Sequence, residues 1–299
     1  MTDLTDALRA VFGARLKENE PLAKYVNFRI GGPARWLVEA KTEREVAEAL
    51  RLAKEAGVPT FILGGGSNTL PSDQGFAGLV VKIALRSFDI NGTTVRADAG
   101  AMSAGLARAT AEAGLAGLEW MISLPGTVGG AVRGNAGCFG GEVKDNLVSA
   151  RILRSGRITE VSAADCAFGY RDSAFKRSDD VILSATFALA PGIPSVLKAK
   201  MEEQLAKRKA SQPTNAGSAG CVFKNPPGQS AGRLVDEAEL KGQTIGDAEI
   251  SQAHGNFIVN KGRATADQVV QLVALAKTRV RDRFGIQLHE EIQYLGFGS

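Results

Sequence analysis

Four short segments set ionisable and polar side chains among glycine and apolar residues: Phe168-Gly169-Tyr170-Arg171-Asp172-Ser173, Ser218-Ala219-Gly220-Cys221-Val222-Phe223-Lys224-Asn225-Pro226, His254-Gly255-Asn256-Phe257 and Leu288-His289-Glu290-Glu291-Ile292. Guanidinium, thiol, ammonium, imidazole and carboxyl groups are the side chains that hold anions and move protons. Each segment also has a plainer reading when taken alone. Arg171 can pair with Asp172 or Asp179 at the surface, Cys221 can be a small core residue, and Glu291 can sit on the solvated face of a strand.

Three glycine clusters add a second kind of chemistry: Ile30-Gly31-Gly32-Pro33, Leu63-Gly64-Gly65-Gly66-Ser67-Asn68, and Pro125-Gly126-Thr127-Val128-Gly129-Gly130 followed by Asn135-Ala136-Gly137. Backbone amides without side-chain bulk can close on a pyrophosphate, and Ser67, Asn68 and Thr127 add donors. The familiar nucleotide fingerprints fail on spacing. Gly64 and Gly66 follow an expected strand, but the third glycine of GxGxxG is missing, and GxxxxGK[ST] is absent. A different dinucleotide-binding fold is expected.

Those loops need elements to hold them. Leu4, Leu8, Val11, Phe12 and Leu16 recur at helical spacing, which predicts an opening helix over 3–18. ARWLVEA then reads as a strand, Thr42 with Glu45 as a capping box opening a helix that Gly57 closes, and 59–63 as a short buried strand. From 64 to about 190 the β-rich runs GLVVKI, TVRADA, LVSARILR and VILSATFAL alternate with glycine turns, and only 103–112 reads as helix. Beyond APGIP come a charged helix over 194–209, a turn-rich stretch over 211–229, a helix around 231–239 and a long one over 265–284. The expected class is α+β in three parts: 1–59 with 286–299 returning to it, 60–190, and 191–285.

A chain of 299 residues, 44% hydrophobic and 23% charged, can bury several cores. The charge of +4, from 36 basic and 32 acidic residues, is scattered and points to no nucleic acid. No apolar run reaches the roughly 20 residues a bilayer requires, and the opening MTDLTDALRA is not signal-like, so no membrane association is expected and a cytoplasmic location is. Cys138, Cys166 and Cys221 are odd in number and dispersed, which fits a reducing compartment; with two histidines and no CxxC, no metal site is expected.

The motifs NFRIGGPA, LGGGSNTL, LPGTVGGAVRGNAG, FGYRDSAFK, AGCVFKNP, NFIVN and FGIQLHEEIQYLG, in this order from Asn27 to Gly296, resemble those of UDP-N-acetylenolpyruvoylglucosamine reductases. The resemblance implies a vanillyl-alcohol-oxidase-type FAD-binding domain in two subdomains (1–59 and 60–190) and a C-terminal α+β domain for the UDP-sugar substrate. The short connection after FGYRDSAFK resembles the compact branch, without an extra loop. It further implies non-covalent FAD, NADPH as a transient hydride donor, a small-molecule UDP-sugar substrate and a monomer.

By the same resemblance, Arg171 and Glu291 stabilise an enolate-like intermediate. Cys221 stands where the family has a proton-donating serine. Tyr170, Lys224, Asn225 and His254 fall to the substrate. Ile30, Gly31, Gly64, Gly65, Gly66, Ser67, Asn68, Pro125, Gly126, Thr127, Gly130, Gly137 and Arg208 fall to the flavin. For Arg208 a solvated basic face at 207–209 remains the alternative. Two rival readings are weighed: an oxidase with covalent flavin, for which 64–70 lacks a histidine, and a catalytically silent nucleotide-sugar sensor, against which Arg171, Cys221 and Glu291 together speak.

Overall fold

The computed structural model describes residues 3–298. Its helices are α1 (Leu4–Phe12), α2 (Glu43–Glu55), α3 (Ser103–Glu112), α4 (Val128–Arg133), α5 (Pro194–Ser211), α6 (Ala231–Glu237) and α7 (Ala266–Phe284). The chain forms two compact units, one of 1–17, 37–65 and 79–207, the other of 18–36, 66–78 and 208–299. Helices and strands mix in both, which is the expected α+β class.

In the first unit, α1 ends at Phe12, six residues before the end of the helix over 3–18 that the apolar spacing predicts. Gly13 takes φ +54, and the chain passes through a 3-10 turn into a strand that begins at Leu16. Thr42 caps α2, its hydroxyl accepting from the Glu45 amide at 3.1 Å, but the Glu45 carboxylate accepts from Lys41 N–H at 2.6 Å, so the box is not reciprocal. The strand Thr60–Leu63 pairs in parallel with 79–82 of Phe76–Ile83. A five-stranded sheet follows in the order Arg157–Ser162, Leu147–Arg154, Val181–Ala188, Thr94–Asp98, Phe88–Asn91. Its four pairings are antiparallel.

The middle strand, Val181–Ala188, is buried at Val181, Ile182, Leu183, Ser184, Ala185 and Phe187, as befits a strand covered on both faces. α4 packs against it with Val128, Ala131 and Val132 buried. α4 is six residues long and is not foreseen by periodicity, because glycine occupies its second and third positions.

In the second unit a three-stranded sheet, Thr244–Ile245, Ala248–Ile250 and Ile258–Asn260, carries α7, which buries Val269, Leu272, Val273, Ala276 and Val280. α7 opens with a full capping box between Thr265 and Gln268. The strands Thr69–Pro71 and Gln293–Leu295 run parallel. Isolated bridges join Cys221 to Phe257 and Phe223 to Glu290. Among the described residues no helix is long and apolar enough to cross a membrane, and no group of three His, Cys, Asp or Glu could hold a metal ion.

Candidate active site

Two of the glycine clusters meet in the first unit. A Cβ added at Gly65 would lie 2.6 Å from the Gly126 Cα, and one at Gly64 would lie 2.7 Å from Thr127 Oγ1. The loops at 63–65 and 125–127 therefore press backbone on backbone, an approach that side chains would forbid. Gly126 accepts from the Ser103 amide at 3.1 Å, and Thr127 heads α4. The Thr127 hydroxyl is buried with no hydrogen-bond partner. A buried orphan hydroxyl costs about 1–3 kcal/mol unless something accepts from it. Gly130 is exposed in the first turn of α4.

At the other end of α4, the Arg133 side chain is half-buried, no carboxylate among the described residues pairs with it, and burial pushes its pKa down. Close-packed glycines, an orphan donor and an uncompensated cation fit an anionic dinucleotide such as FAD. Arg133 is absent from the sequence-derived set; an arginine in a glycine loop is the signal that could have found it.

In the second unit, Gly66 takes φ +64, and a Cβ there would lie 2.1 Å from the Tyr25 carbonyl oxygen. The Asn27 amide donates to the Gly66 carbonyl at 3.0 Å. Gly31, at φ +135, closes on Pro71. Ile30 is in the core, 3% exposed, so its backbone is what it offers a ligand. Arg208 is half-buried in the last turn of α5 while Lys207 and Lys209 are exposed, which separates it from a solvated basic face.

Arg171 stands at the tip of a tight turn in which Gly169 and Asp172 exchange amide-to-carbonyl hydrogen bonds of 3.0 and 3.2 Å. It takes φ +54, a conformation turns normally give to glycine, at a cost on the order of 1–3 kcal/mol. Surrounding contacts enforce it. Asn135, fully buried, donates to the Gly169 carbonyl at 3.0 Å and to Glu142 Oε2 at 2.7 Å, and accepts from the Lys144 amide at 3.0 Å. Ser173 Oγ donates to the Arg133 carbonyl at 2.7 Å. The Arg171 guanidinium donates to the Gly137 carbonyl at 2.7 Å and lies 5.2 Å from the exposed Tyr170 ring. Asp172 pairs with Arg177.

Cys221, Lys224 and Glu291 come together in the second unit. The Glu291 amide donates to the Val222 carbonyl at 2.7 Å, and the Lys224 amide to the His289 carbonyl at 2.9 Å. Cys221 and Glu291 are both half-buried. Lys224 is half-buried, and no carboxylate among the described residues pairs with it. Asn225 Oδ1 accepts from the Ala231 amide at 3.0 Å, at the start of α6.

Asn256 fastens the segment. Its carbonyl accepts from Val222 N–H at 2.8 Å, and its side chain binds both the amide and the carbonyl of Phe223 at 2.8 Å. Its own amide donates to His254 Nδ1 at 3.1 Å, which leaves the ring proton of a neutral His254 on Nε2. Burial and then Lys241 push the His254 pKa down. The sequence places Asn256 in a motif, but its two-handed grip on Phe223, 33 residues away, is a tertiary fact.

Residues 212–295 match the family described as UDP-N-acetylenolpyruvoylglucosamine reductase, C-terminal domain, and residues 34–162 match an FAD binding domain. The UDP-N-acetylenolpyruvoylglucosamine reductase of Trichlorobacter lovleyi is 40% identical over 294 residues, covering 98% of this chain and 97% of its own. That of Clostridioides difficile is 39% identical over 284 residues, covering 94% and 93%. The crystal structure of the Thermus caldophilus enzyme superposes with a TM-score of 0.82 at 36% identity, over 94% of this chain and 99% of its own. Bermuda grass isoallergen BG60, at 15% identity and a TM-score of 0.53 over 96% of this chain and 60% of its own, shares the fold. With near-complete coverage at this identity, and with glycine loops that fit the cofactor, the chain belongs to the UDP-N-acetylenolpyruvoylglucosamine reductase family of FAD-dependent oxidoreductases.

Proposed function

We propose that this protein reduces the enolpyruvyl group of UDP-N-acetylglucosamine enolpyruvate to UDP-N-acetylmuramate, a peptidoglycan precursor, at the expense of NADPH. The observation that supports the reading is the 2.7 Å hydrogen bond from the Glu291 amide to the Val222 carbonyl, which sets the backbone bearing Glu291 beside the segment that carries Cys221. The loops at 64–68 and 125–130, with Ile30, Gly31, Gly137 and Arg208, would hold FAD, which when bound would supply hydride-transfer chemistry between NADPH and the substrate.

Hydride addition beside a carboxylate builds an enolate-like dianion, and the remaining work is charge stabilisation and one proton. Arg171, held rigidly by its turn, presents parallel donors to that charge. Glu291 in its protonated form donates to the same oxygens instead of repelling them. Cys221 gives its Sγ proton to the carbon next to the one that took the hydride, and the thiolate regains a proton from water. A thiol, with a reference pKa of about 8.5, is a better acid than the family's serine and is still mostly protonated at neutral pH. Lys224, Asn225 and His254, with Tyr170, bind the diphosphate and sugar; the Lys224 ammonium and the His254 Nε2–H suit that task.

Cys138, Cys166 and Cys221 form no disulfide, which fits a cytoplasmic protein, and we take it to act as a monomer. The functional territories follow the three-part division, 1–59 and 60–190 for the flavin and 191–285 for the UDP-sugar. Turnover in deuterium oxide with unlabelled NADPH tests the chemistry. The product should carry deuterium on the carbon that Cys221 protonates, and nuclear magnetic resonance reads that position. Failure of the enolpyruvyl compound to turn over would reject the substrate.

A further inference from the structure

Asn68 ends the glycine loop at 64–68, yet its side chain turns away from the loop's own amides. Its Nδ2 donates to the Glu291 carbonyl at 3.0 Å, while its carbonyl accepts from the Gln293 amide at 2.8 Å. The parallel pairing of Thr69–Pro71 with Gln293–Leu295 begins at Thr69 opposite Gln293. The Asn68 side chain therefore supplies to Glu291 the donor that one more strand residue would have supplied. Glu291 is held on its other side by its amide, which reaches the Val222 carbonyl at 2.7 Å, and its carbonyl also accepts from Gln293 Nε2 at 3.3 Å.

We infer that Asn68 is a positioning residue for Glu291, coupling the glycine loop of the cofactor site to the aim of the carboxyl group. The inference rests on the role proposed above for Glu291. Both peptide groups flanking the Glu291 Cα are pinned, the amide by Val222 and the carbonyl by Asn68, and this fixes the direction in which the Cα–Cβ bond points. Loss of the Asn68 donor leaves the carbonyl the longer Gln293 Nε2 contact at 3.3 Å, which lets the peptide shift, and a misplacement of about 1 Å at a reacting group costs on the order of 10²-fold in rate. A residue that served only to bind the cofactor would weaken every step that needs flavin. A positioning residue for Glu291 weakens only the step that uses the carboxyl group.

Asn68→Asp keeps size and shape but replaces the donor with an acceptor facing a carbonyl. The flavin-loaded variant is reduced anaerobically with NADPH and then mixed with UDP-N-acetylglucosamine enolpyruvate, with Glu291→Gln run in parallel. Reoxidation should slow on the order of 10²-fold more than reduction does. Amide hydrogen exchange over 290–294 should quicken in the variant more than in the rest of the second unit. Asn68→Ser, which relieves the carboxylate–carbonyl repulsion, is read by the same criteria if the aspartate variant does not fold.

Equal slowing of both half-reactions, or loss of flavin from both variants, makes Asn68 a cofactor ligand and overturns the inference. Reoxidation at the native rate with Glu291→Gln slow also overturns it. Native reoxidation by Glu291→Gln removes the catalytic reading of Glu291 itself, whatever Asn68 does.

Discussion

The role proposed for Cys221 depends on a proton held by sulfur, and two outcomes separate that role from mere packing. Cys221→Ala should lower the rate of flavin reoxidation by the enolpyruvyl substrate by about 10²–10⁴-fold, the usual worth of a general acid, with flavin reduction by NADPH little changed. Cys221→Ser should recover much of that loss, because serine is the residue expected at this position. Stopped-flow absorbance reads both steps, and an alanine variant at full speed would remove Cys221 from the mechanism. Alkylation gives an independent check: burial pushes the Cys166 thiol up to about 11, so Cys221 should be labelled well before Cys166 at mildly alkaline pH.

His254 gives the residue scale a pH dependence. Its folded pKa lies below its ordinary value, so in the window just below pH about 6.5 the unfolded chain binds more protons than the folded one. Stability should therefore be fully present above that window and fall as the pH drops through it. His254→Gln should flatten the decline in thermal midpoint between neutral and mildly acidic pH, and an unchanged slope would assign the decline elsewhere. At this scale the sequence was informative about which residue types matter and silent about their restraints. Arg171 stood out in its motif, but the buried Asn135 that holds its turn at positive φ did not, because an asparagine's partners lie elsewhere in the fold.

Among the elements, the glycine loops and helix caps carry the structural argument. Gly65→Ala would drive its Cβ to 2.6 Å from the Gly126 Cα, and only separation of the two loops relieves that contact. The variant should purify with little flavin and melt earlier, read from the ratio of visible to protein absorbance and a thermal scan; full flavin content would contradict the proposed cradle. Thr265→Ala should remove the cap of α7 and cost about 1 kcal/mol in urea unfolding, leaving the flavin spectrum alone. Elements with strong local signals were legible: α3, the strand Leu147–Arg154 and α7 follow the periodicity and caps of their sequences closely. α4 was hidden by its glycines, and the early end of α1 by an apolar spacing that continues through Leu16 after the backbone has turned at Gly13.

For the whole molecule, cofactor binding and folding should be linked. The Thr127 hydroxyl and the Arg133 guanidinium, beside the close-packed loops, find no partner among the described residues, so FAD should stabilise the fold by linkage, about 2.7 kcal/mol at one hundred times its dissociation constant. Removing the flavin should lower the thermal midpoint, and adding it back should restore it. The family was legible because its motifs run in order through nearly the whole chain, whereas composition and charge pointed to no ligand. The proposed function stands or falls on hydride transfer to an enolpyruvyl sugar. Holoenzyme reduced anaerobically with NADPH and mixed with UDP-N-acetylglucosamine enolpyruvate should regain its oxidised flavin absorbance promptly, with UDP-N-acetylmuramate formed in equal amount. Flavin that stays reduced in the presence of that substrate would contradict it.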